Sequence, residues 1–193
     1  MKLDLSNNYL RKIGKIADDN GYEVYVVGGY VRDLILGVED KDIDIMIKGD
    51  GIKFAEIVAK EFGTGLDAVY KNFETALLVT DEVKIEFASA RKESYERNSR
   101  KPKVESATLE EDLSRRDFTI NALAAGLNKN NYGEVTDSFG GCADIKNKII
   151  KTPLDPQKTF EDDPLRIMRA IRFASKLNFS IEEKTFEAIR GMK

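Results

Sequence analysis

The sequence predicts an α/β head followed by a helical segment, and three observations carry that prediction. Short β-branched runs alternate with stretches of helical spacing up to about residue 90, glycines punctuate the joins, and from Pro164 onward only helical spacing remains. Leu10, Ile13, Ile16 and Ala17 mark an N-terminal helix that ends near Asn20-Gly21. Glu23-Val24-Tyr25-Val26-Val27 reads as a buried strand running into Gly28-Gly29, and Val31 to Leu36 as a short helix closed by Gly37. The β-branched flanks of Lys41-Asp42-Ile43-Asp44-Ile45-Met46-Ile47 predict a second strand. Phe54, Ile57, Val58 and Phe62 give another amphipathic helix, and Thr75 to Thr80 and Val83 to Ala88 give two strands joined through Asp81-Glu82. Residues 91–103 carry six positive and two negative charges without apolar periodicity, the composition of a mobile surface loop. Thr108 and Glu111 form a capping-box pattern that opens a short helix, and Cys142 reads as a small residue at a helix start. Pro164 fits the first position of a helix with Asp163 as its N-cap. Ser180 with Glu183 predicts the start of a last helix, whose Phe186 and Ile189 stripe has little following chain to pack against.

Composition narrows the function classes. The chain has 193 residues, 41% hydrophobic and 34% charged, enough for one sizeable domain or one domain plus part of another. No apolar run approaches the roughly 18 residues that span a bilayer, and the start Met-Lys-Leu-Asp-Leu-Ser lacks a secretory apolar stretch, so a cytoplasmic location and no membrane partner are expected. A single cysteine excludes an internal disulfide, and the absence of histidine excludes His-based zinc sites and His general bases. With a net charge of −3, any contact with polynucleotide must come from local basic clusters. No internal repeat or low-complexity segment is present.

Asp42 and Asp44 are the candidate chemical centre. Side chains two apart on a strand leave the same face, so both carboxylates can reach one metal cluster, and oxygen-only ligation suits Mg²⁺ or Mn²⁺. The bland alternative is a solvated strand end. Upstream, Gly28-Gly29-Tyr30-Val31-Arg32-Asp33 places bare backbone amides at a helix start, where they attract phosphate. Strand, Gly-Gly, Arg-Asp, short linker and a strand bearing Asp-x-Asp together resemble the signature of polymerase-β-like nucleotidyltransferases. The form GGYVRD followed by DIDI is similar to the class II tRNA nucleotidyltransferase and bacterial poly(A) polymerase family. Three later stretches extend the resemblance in the family's order over residues 22–175: Arg-Arg-Asp-Phe-Thr-Ile-Asn-Ala-Leu-Ala from 115, Asp137-Ser138-Phe139-Gly140-Gly141, and Asp-Asp-Pro-Leu-Arg-Ile-Met-Arg-Ala-Ile-Arg-Phe from 162. One departure stands out: the family commonly has Glu-Asp where this chain has Asp162-Asp163, which leaves Asp163 at the family's spacing from Arg166 and puts Asp162 outside the pattern.

The resemblance implies a polymerase-β-like head over residues 1–150, a mixed sheet with flanking helices, and the start of a helical neck over 151–193. Family members are longer, so the chain is expected to be the head and the beginning of the neck. Asp42 and Asp44 would hold two divalent ions, with Glu86 either a third carboxylate or a structural acid. Gly29 and Arg32 would bind the triphosphate, though Arg32 also reads as a surface arginine paired with Asp33. Arg116 would meet the nucleotide and Asp117 the ribose, against the alternative that Asp117 merely caps a helix. Asp163 and Arg166 would read the base: a carboxylate accepting from an exocyclic amine beside a guanidinium donating to a ring nitrogen fits cytosine and adenine, whereas uracil and guanine leave groups unpaired at about 1–3 kcal/mol each. Arg169 and Arg172 would meet phosphates.

The expected activity is therefore addition of C and A from CTP and ATP to the 3′ end of tRNA. Poly(A) synthesis, or addition of only A or only CC, shares all these motifs. The basic stretch at 91–103 resembles the flexible loop of enzymes able to add the terminal A. From another class, a noncatalytic nucleotide- or RNA-binding head would keep the fold without needing Asp42, Asp44, Gly29 and Arg32 together. A small nucleotidyltransferase acting on protein or antibiotic would lack the Arg166 series. Oligomeric state is left open.

Overall fold

The computed structural model describes residues 1–94 and 103–192. Asn7 opens α1 (Asn8–Asn20) by accepting from the Tyr9 N–H at 2.8 Å, and left-handed Gly21 closes it, burying Leu10, Ile13, Ile16 and Ala17 on one stripe. Then follow β1 (Glu23–Val27), α2 (Gly29–Ile35), β2 (Asp42–Lys48) and α3 (Gly51–Glu61), the last capped by Asp50. After β3 (Ala68–Tyr70) and a 3₁₀ turn (Lys71–Phe73) come β4 (Thr75–Val79) and β5 (Lys84–Ser89). The helix after Gly28-Gly29 starts at Gly29, two residues earlier than its apolar spacing predicts, so the glycine pair forms the turn and the first helical residue.

Strands β6 (Arg91–Ser94) and β7 (Lys103–Ser106) pair antiparallel, so the ends of the basic stretch form a two-stranded ribbon. The middle of the loop expected at 91–103 lies outside the described residues. The capping box of Thr108 and Glu111 opens α4 (Leu109–Ser114) as its spacing predicts. A 3₁₀ turn (Thr119–Asn121), β8 (Ala124–Gly126), β9 (Val135–Thr136), α5 (Gly141–Asn147) and β10 (Ile149–Ile150) follow.

The C-terminal region differs from its sequence reading in two places. A helix α6 (Pro156–Asp162), capped by Asp155 with proline at its first turn, precedes α7 (Leu165–Leu177). Asp163 is thus the C-cap of α6, and its side chain accepts from the Leu165 N–H at 3.0 Å across the corner. Ser180 opens no helix; it lies in β11 (Ser180–Ile181), parallel to β10, and Glu182 caps α8 (Glu183–Gly191) by accepting from the Thr185 N–H.

Seven strands form one mixed sheet in the order β3-β4-β5-β2-β1-β8-β9, with β2 and β5 parallel. Alternation sorts its two faces. Ile43, Ile45 and Ile47 of β2, Ile85 and Phe87 of β5 and Val24 and Val26 of β1 face α1 and α3, where Phe54 meets Phe87 edge-on at 6.2 Å. Each such fully buried side chain contributes about 1.5–3 kcal/mol of transfer free energy. The same core continues past residue 150 through Ile150, Phe160, Ala170 and Phe179, which fixes α7 against the head. On the opposite face a smaller cluster of Tyr25, Val27, Met46, Leu113 and Ala124 covers one half of the sheet. Asp42, Asp44 and Glu86 stand on the uncovered half. Among the described residues no helix is long and apolar enough to cross a membrane.

Candidate active site

Strand register places the acidic residues. Asp44 is paired with Glu86 across the parallel β2–β5 ladder and Asp42 with Lys84, so all four leave the same sheet face. Next to them β1 ends at Gly28, whose φ of 74° and ψ of −134° suit glycine, and a Cβ there would lie 2.8 Å from Arg116 Nη1 and 3.6 Å from Asp44 Oδ2. The bare glycine therefore leaves room for a guanidinium and a carboxylate to approach the backbone from the cleft. The Gly29 N–H begins α2 and is one of the helix-start amides with no intrahelical carbonyl to satisfy it.

Asp44 opens to solvent at the cleft mouth but is walled by protein on its other sides. That burial pushes its carboxyl up to about 6; Arg116 pulls it down in part, and the charges of Glu86, Asp42 and Asp40 raise it further. Among the described residues neither Asp42 nor Asp44 has an ion-paired partner, and no three acidic or sulfur side chains converge tightly enough to cage a cation. Glu86 is Asp44's neighbour and contributes its charge without forming such a cage. The donor set suits a magnesium-like ion, which is held by one or two carboxylates and completes its sphere with water and substrate phosphate. Two carboxylates without an ion-pair partner among the described residues, one of them raised first by burial and then by its acidic neighbours, are what a divalent cation would relieve.

The arginines opposite are all held by acids or carbonyls. Arg32 and Asp33 are both buried, with Arg32 Nε and Nη2 donating to the two Asp33 oxygens at 2.8 and 2.7 Å. Arg32 Nη1 donates to Asn121 Oδ1 at 2.6 Å, and Asn121 Nδ2 donates to Asp117 Oδ1 at 3.0 Å. Asp117 Oδ2 in turn accepts from Arg169 Nε at 2.6 Å. Phe173 completes the ladder, with the guanidinium carbons of Arg32 and Arg169 each 5.3 Å from its ring centroid. A second anchor is Asp112, 1% exposed, which takes Arg115 on Oδ1 at 2.8 Å and Arg116 on Oδ2 at 3.0 Å. Burial alone would raise the Asp112 carboxyl; the two guanidiniums, Arg116 foremost, outweigh burial and hold it below the ordinary carboxylate range. Arg166 Nη2 donates to the Arg115 carbonyl at 2.8 Å, tying α7 to the same corner.

These groups enclose a cleft of about 550 Å³ lined by Gly28, Gly29, Arg32, Asp44, Arg115, Arg116, Asp117, Asn121, Asp163, Leu165, Arg166, Arg169 and Phe173. A separate hollow of about 640 Å³ against α1 and α3 contains none of the motif residues. Of the residues singled out by sequence, Gly29, Arg32, Asp44, Arg116, Asp117, Asp163, Arg166 and Arg169 line the one cleft, and Asp42 and Glu86 flank its mouth on the sheet. Arg172 does not join them: it is exposed on α7, and the helical turn aims Phe173 inward in its place. Asp162 also stays outside the lining. Arg32, which sequence left open as a surface residue, is 5% exposed.

Sequence reasoning missed Asp112, Arg115, Asn121 and Phe173. Asp112 sits three and four residues before Arg115 and Arg116, a spacing that pairs side chains on one helical turn, and it follows a strong helix start, so the signal was present. Nothing local in the sequence marks Phe173 as the ring between two arginines. Asp137 has a structural role, its oxygens accepting from the Gly141 and Cys142 N–H groups at 2.7 and 2.9 Å at the start of α5. Burial first, and then Asp137, push the Cys142 thiol up to about 11, which leaves it unreactive at neutral pH.

The A-adding tRNA nucleotidyltransferase of Aquifex aeolicus is 45% identical to this chain over 166 residues, 86% of this chain and 20% of that protein. The CCA-adding enzyme of Lactobacillus helveticus is 41% identical over 175 residues, 90% and 42% of the two chains. A crystal structure of a tRNA nucleotidyltransferase complexed with a primer tRNA and an incoming ATP analog superposes with a TM-score of 0.80 at 40% identity, over 92% of this chain and 48% of that one. The chain thus spans from a fifth to just under half the length of these relatives. With residues 24–151 matching the poly A polymerase head domain, and with the overall fold it shares with a solved nucleotidyltransferase, the chain belongs to the poly A polymerase head domain family.

Proposed function

We propose that the chain is the nucleotidyl-transferring head, with the start of the base-reading neck, of a cytoplasmic tRNA nucleotidyltransferase that adds C and A from CTP and ATP to tRNA 3′ ends. The observation that carries the reading is the convergence, in one cleft, of side chains from four separated motifs: the Gly-Gly turn, the Asp-x-Asp strand, the Arg-Arg-Asp stretch and α7. A noncatalytic binding head would have no use for two unpaired carboxylates at the edge of an arginine-lined cleft, because they repel the phosphates such a head would bind.

The family is generally dependent on a divalent metal. Asp42 and Asp44 are the residues that would hold magnesium ions, two in this reading, with manganese as a substitute; bound there, the metal would supply charge neutralisation and activation of the attacking hydroxyl. The protein's own groups do the rest. The Gly29 N–H and Arg116 face the position of the triphosphate beside Asp44. Arg32 uses three of its roughly five N–H donors on Asp33 and Asn121, so it offers the cleft its remainder and chiefly positions Asn121 and Phe173. Asp117, already engaged on both oxygens, fixes Arg169 as well as facing the ribose. Asp163 spends one oxygen on the corner of α7 and keeps the other for a base amine, while Arg166, steadied by the Arg115 carbonyl, donates to the neighbouring ring nitrogen. The division near residue 150 is then one of roles, transfer before it and base reading after it.

The test is to incubate the protein with tRNAs ending before CCA and after CC, and with an unrelated oligonucleotide, offering each nucleotide separately with Mg²⁺. Incorporation of C and A, and little U or G, supports the reading. A runs on any RNA point to poly(A) synthesis, and A added only after CC points to the A-adding activity by which the Aquifex relative is named.

A further inference from the structure

We propose that the open half of the sheet on the far side of Asp42 and Asp44 is the track for the single-stranded 3′ end of the RNA, with Tyr70 and Phe73 as stacking platforms for its last bases; this rests on the reading of the cleft as the nucleotide site. The argument is one of sidedness. In-line phosphoryl transfer needs the attacking oxygen and the leaving oxygen on opposite sides of the phosphorus. The triphosphate groups converge on the β1–β8 side of β2, where Gly28, Arg116 and α7 lie. The incoming hydroxyl is left with the β5-β4-β3 side.

Register shows what that side presents. The row through Asp44 runs Glu86, Leu77, Ala68 across β5, β4 and β3, and the next row runs Met46, Ala88, Thr75, Tyr70, in which Met46 and Thr75 are buried and Tyr70 stands out at the edge. Tyr70 therefore points from the same face as the aspartates, three strands across and one row along from Asp44, about 16 Å at ~4.8 Å per strand and ~3.4 Å per residue. It is 54% exposed, and Phe73, in the turn that follows, is 53% exposed. The Phe73 carbonyl accepts from Arg91 Nη1 at 2.6 Å, which pins that turn to the start of β6. Exposed Val79 and Lys84 lie in the row of Asp42, and exposed Lys71 follows Tyr70. Two exposed aromatic rings, with Lys71 beside Tyr70 and Lys84 beside Asp42 at the two ends of this surface and Glu86 between, match a base-stacking surface for single-stranded RNA, whose bases have π faces and whose backbone is anionic.

The test is anisotropy of a 5′-fluorescein single-stranded RNA hexanucleotide ending in CC, with CTP and ATP binding measured in parallel on the same preparations and thermal melts confirming the fold. Tyr70→Ala and Phe73→Ala should each weaken RNA binding about fivefold or more, leave CTP and ATP binding unchanged, and lose their effect when the last two bases of the RNA are replaced by abasic sugars. Tyr70→Trp should retain wild-type affinity. Folded alanine variants that bind the RNA as the wild type does, or abasic RNA that binds the wild type as well as intact RNA, would overturn the proposal while leaving the nucleotide reading intact. A wild type that binds the RNA but neither nucleotide would sink the nucleotide reading separately and, with it, the sidedness argument.

Discussion

Asp44→Asn should make the metal-free protein more stable, because the carboxylate that best serves a cation is a liability without one. The rise from an ordinary 3.8 to about 6 is a little over two powers of ten in proton affinity, or ~3 kcal/mol at ~1.4 kcal/mol per decade. Asp44 is open to solvent at the cleft mouth, and screening there reduces the usable figure to about 1 kcal/mol. For a chain of this size that is a rise in Tm of about 2–4 °C. The sign follows from linkage: the folded-state pKa lies above the unfolded one, so the penalty is absent below about pH 4, grows between pH 4 and 6, and is full above 6. Thermal melts of wild type and variant from pH 4 to 8, in EDTA and in millimolar Mg²⁺, read it directly. The gain should be present at pH 7.5 in EDTA, fade by pH 4.5, and shrink or reverse in Mg²⁺, which stabilises only the wild type. A variant no more stable than wild type at pH 7.5, or a gain that ignores pH, would refute the account of Asp44 as a desolvated, unpaired charge.

Three further outcomes follow from the same geometry. Asp42→Ala or Asp44→Ala should abolish nucleotide addition at saturating Mg²⁺ while circular dichroism stays native, because both carboxylates lie on an exposed sheet face. Arg166→Ala should lower C and A incorporation and relax discrimination against U and G by the loss of a charged donor worth roughly 1.5–3 kcal/mol, and Asp163→Ala should do likewise; single-nucleotide incorporation ratios from folded variants measure this, and unchanged ratios would make the pair structural. Asp112→Asn should cost about 3 kcal/mol in a denaturant melt by leaving Arg115 and Arg116 without their buried counter-charge. Because its folded-state pKa lies below the unfolded value, the contribution of Asp112 is present at neutral pH and fades as acid protonates it, so the wild-type advantage over this variant should shrink as pH falls below about 4.

What could be read from sequence was whatever had a local physical signal. The stripe and cap of α1, the alternation in β2, the Gly-Gly turn and the Thr108–Glu111 capping box each follow from a few neighbouring residues, and each lies where its pattern puts it. β8 had no such signal: Ala124-Ala125-Gly126 is a strand because β1 and β9 pair with it, and its small residues carry no period. α6 opens on Asp155-Pro156, the same Asp-Pro pattern as the one at Asp163-Pro164. At the site, the motif residues were legible one by one, whereas the Arg32–Asn121–Asp117–Arg169 chain joins positions up to 89 residues apart and exists only once α2, the 3₁₀ turn and α7 meet. Arg172 stands outside the cleft lining because three-residue steps drift off the inward face that Arg166, Arg169 and Phe173 share, and the Ser180–Glu183 spacing put a helix start where β11 lies.

The acids of the cleft divide into two groups, and the division explains why an arginine-rich cleft can form before any phosphate arrives. Asp33, Asp112 and Asp117 are buried and paired, and between them they hold Arg32, Arg115, Arg116 and Arg169. Without them, four guanidiniums around one cleft would repel one another and splay toward solvent. With them, the side chains are ordered in advance, so a triphosphate that binds need not freeze them and loses less of its binding energy to side-chain entropy. Among the described residues, Asp42, Asp44 and Glu86 have no ion-pair partner on the adjoining sheet face. Arg116 offsets the Asp44 charge only in part, so the mouth of the cleft is the acidic end of an otherwise arginine-lined site.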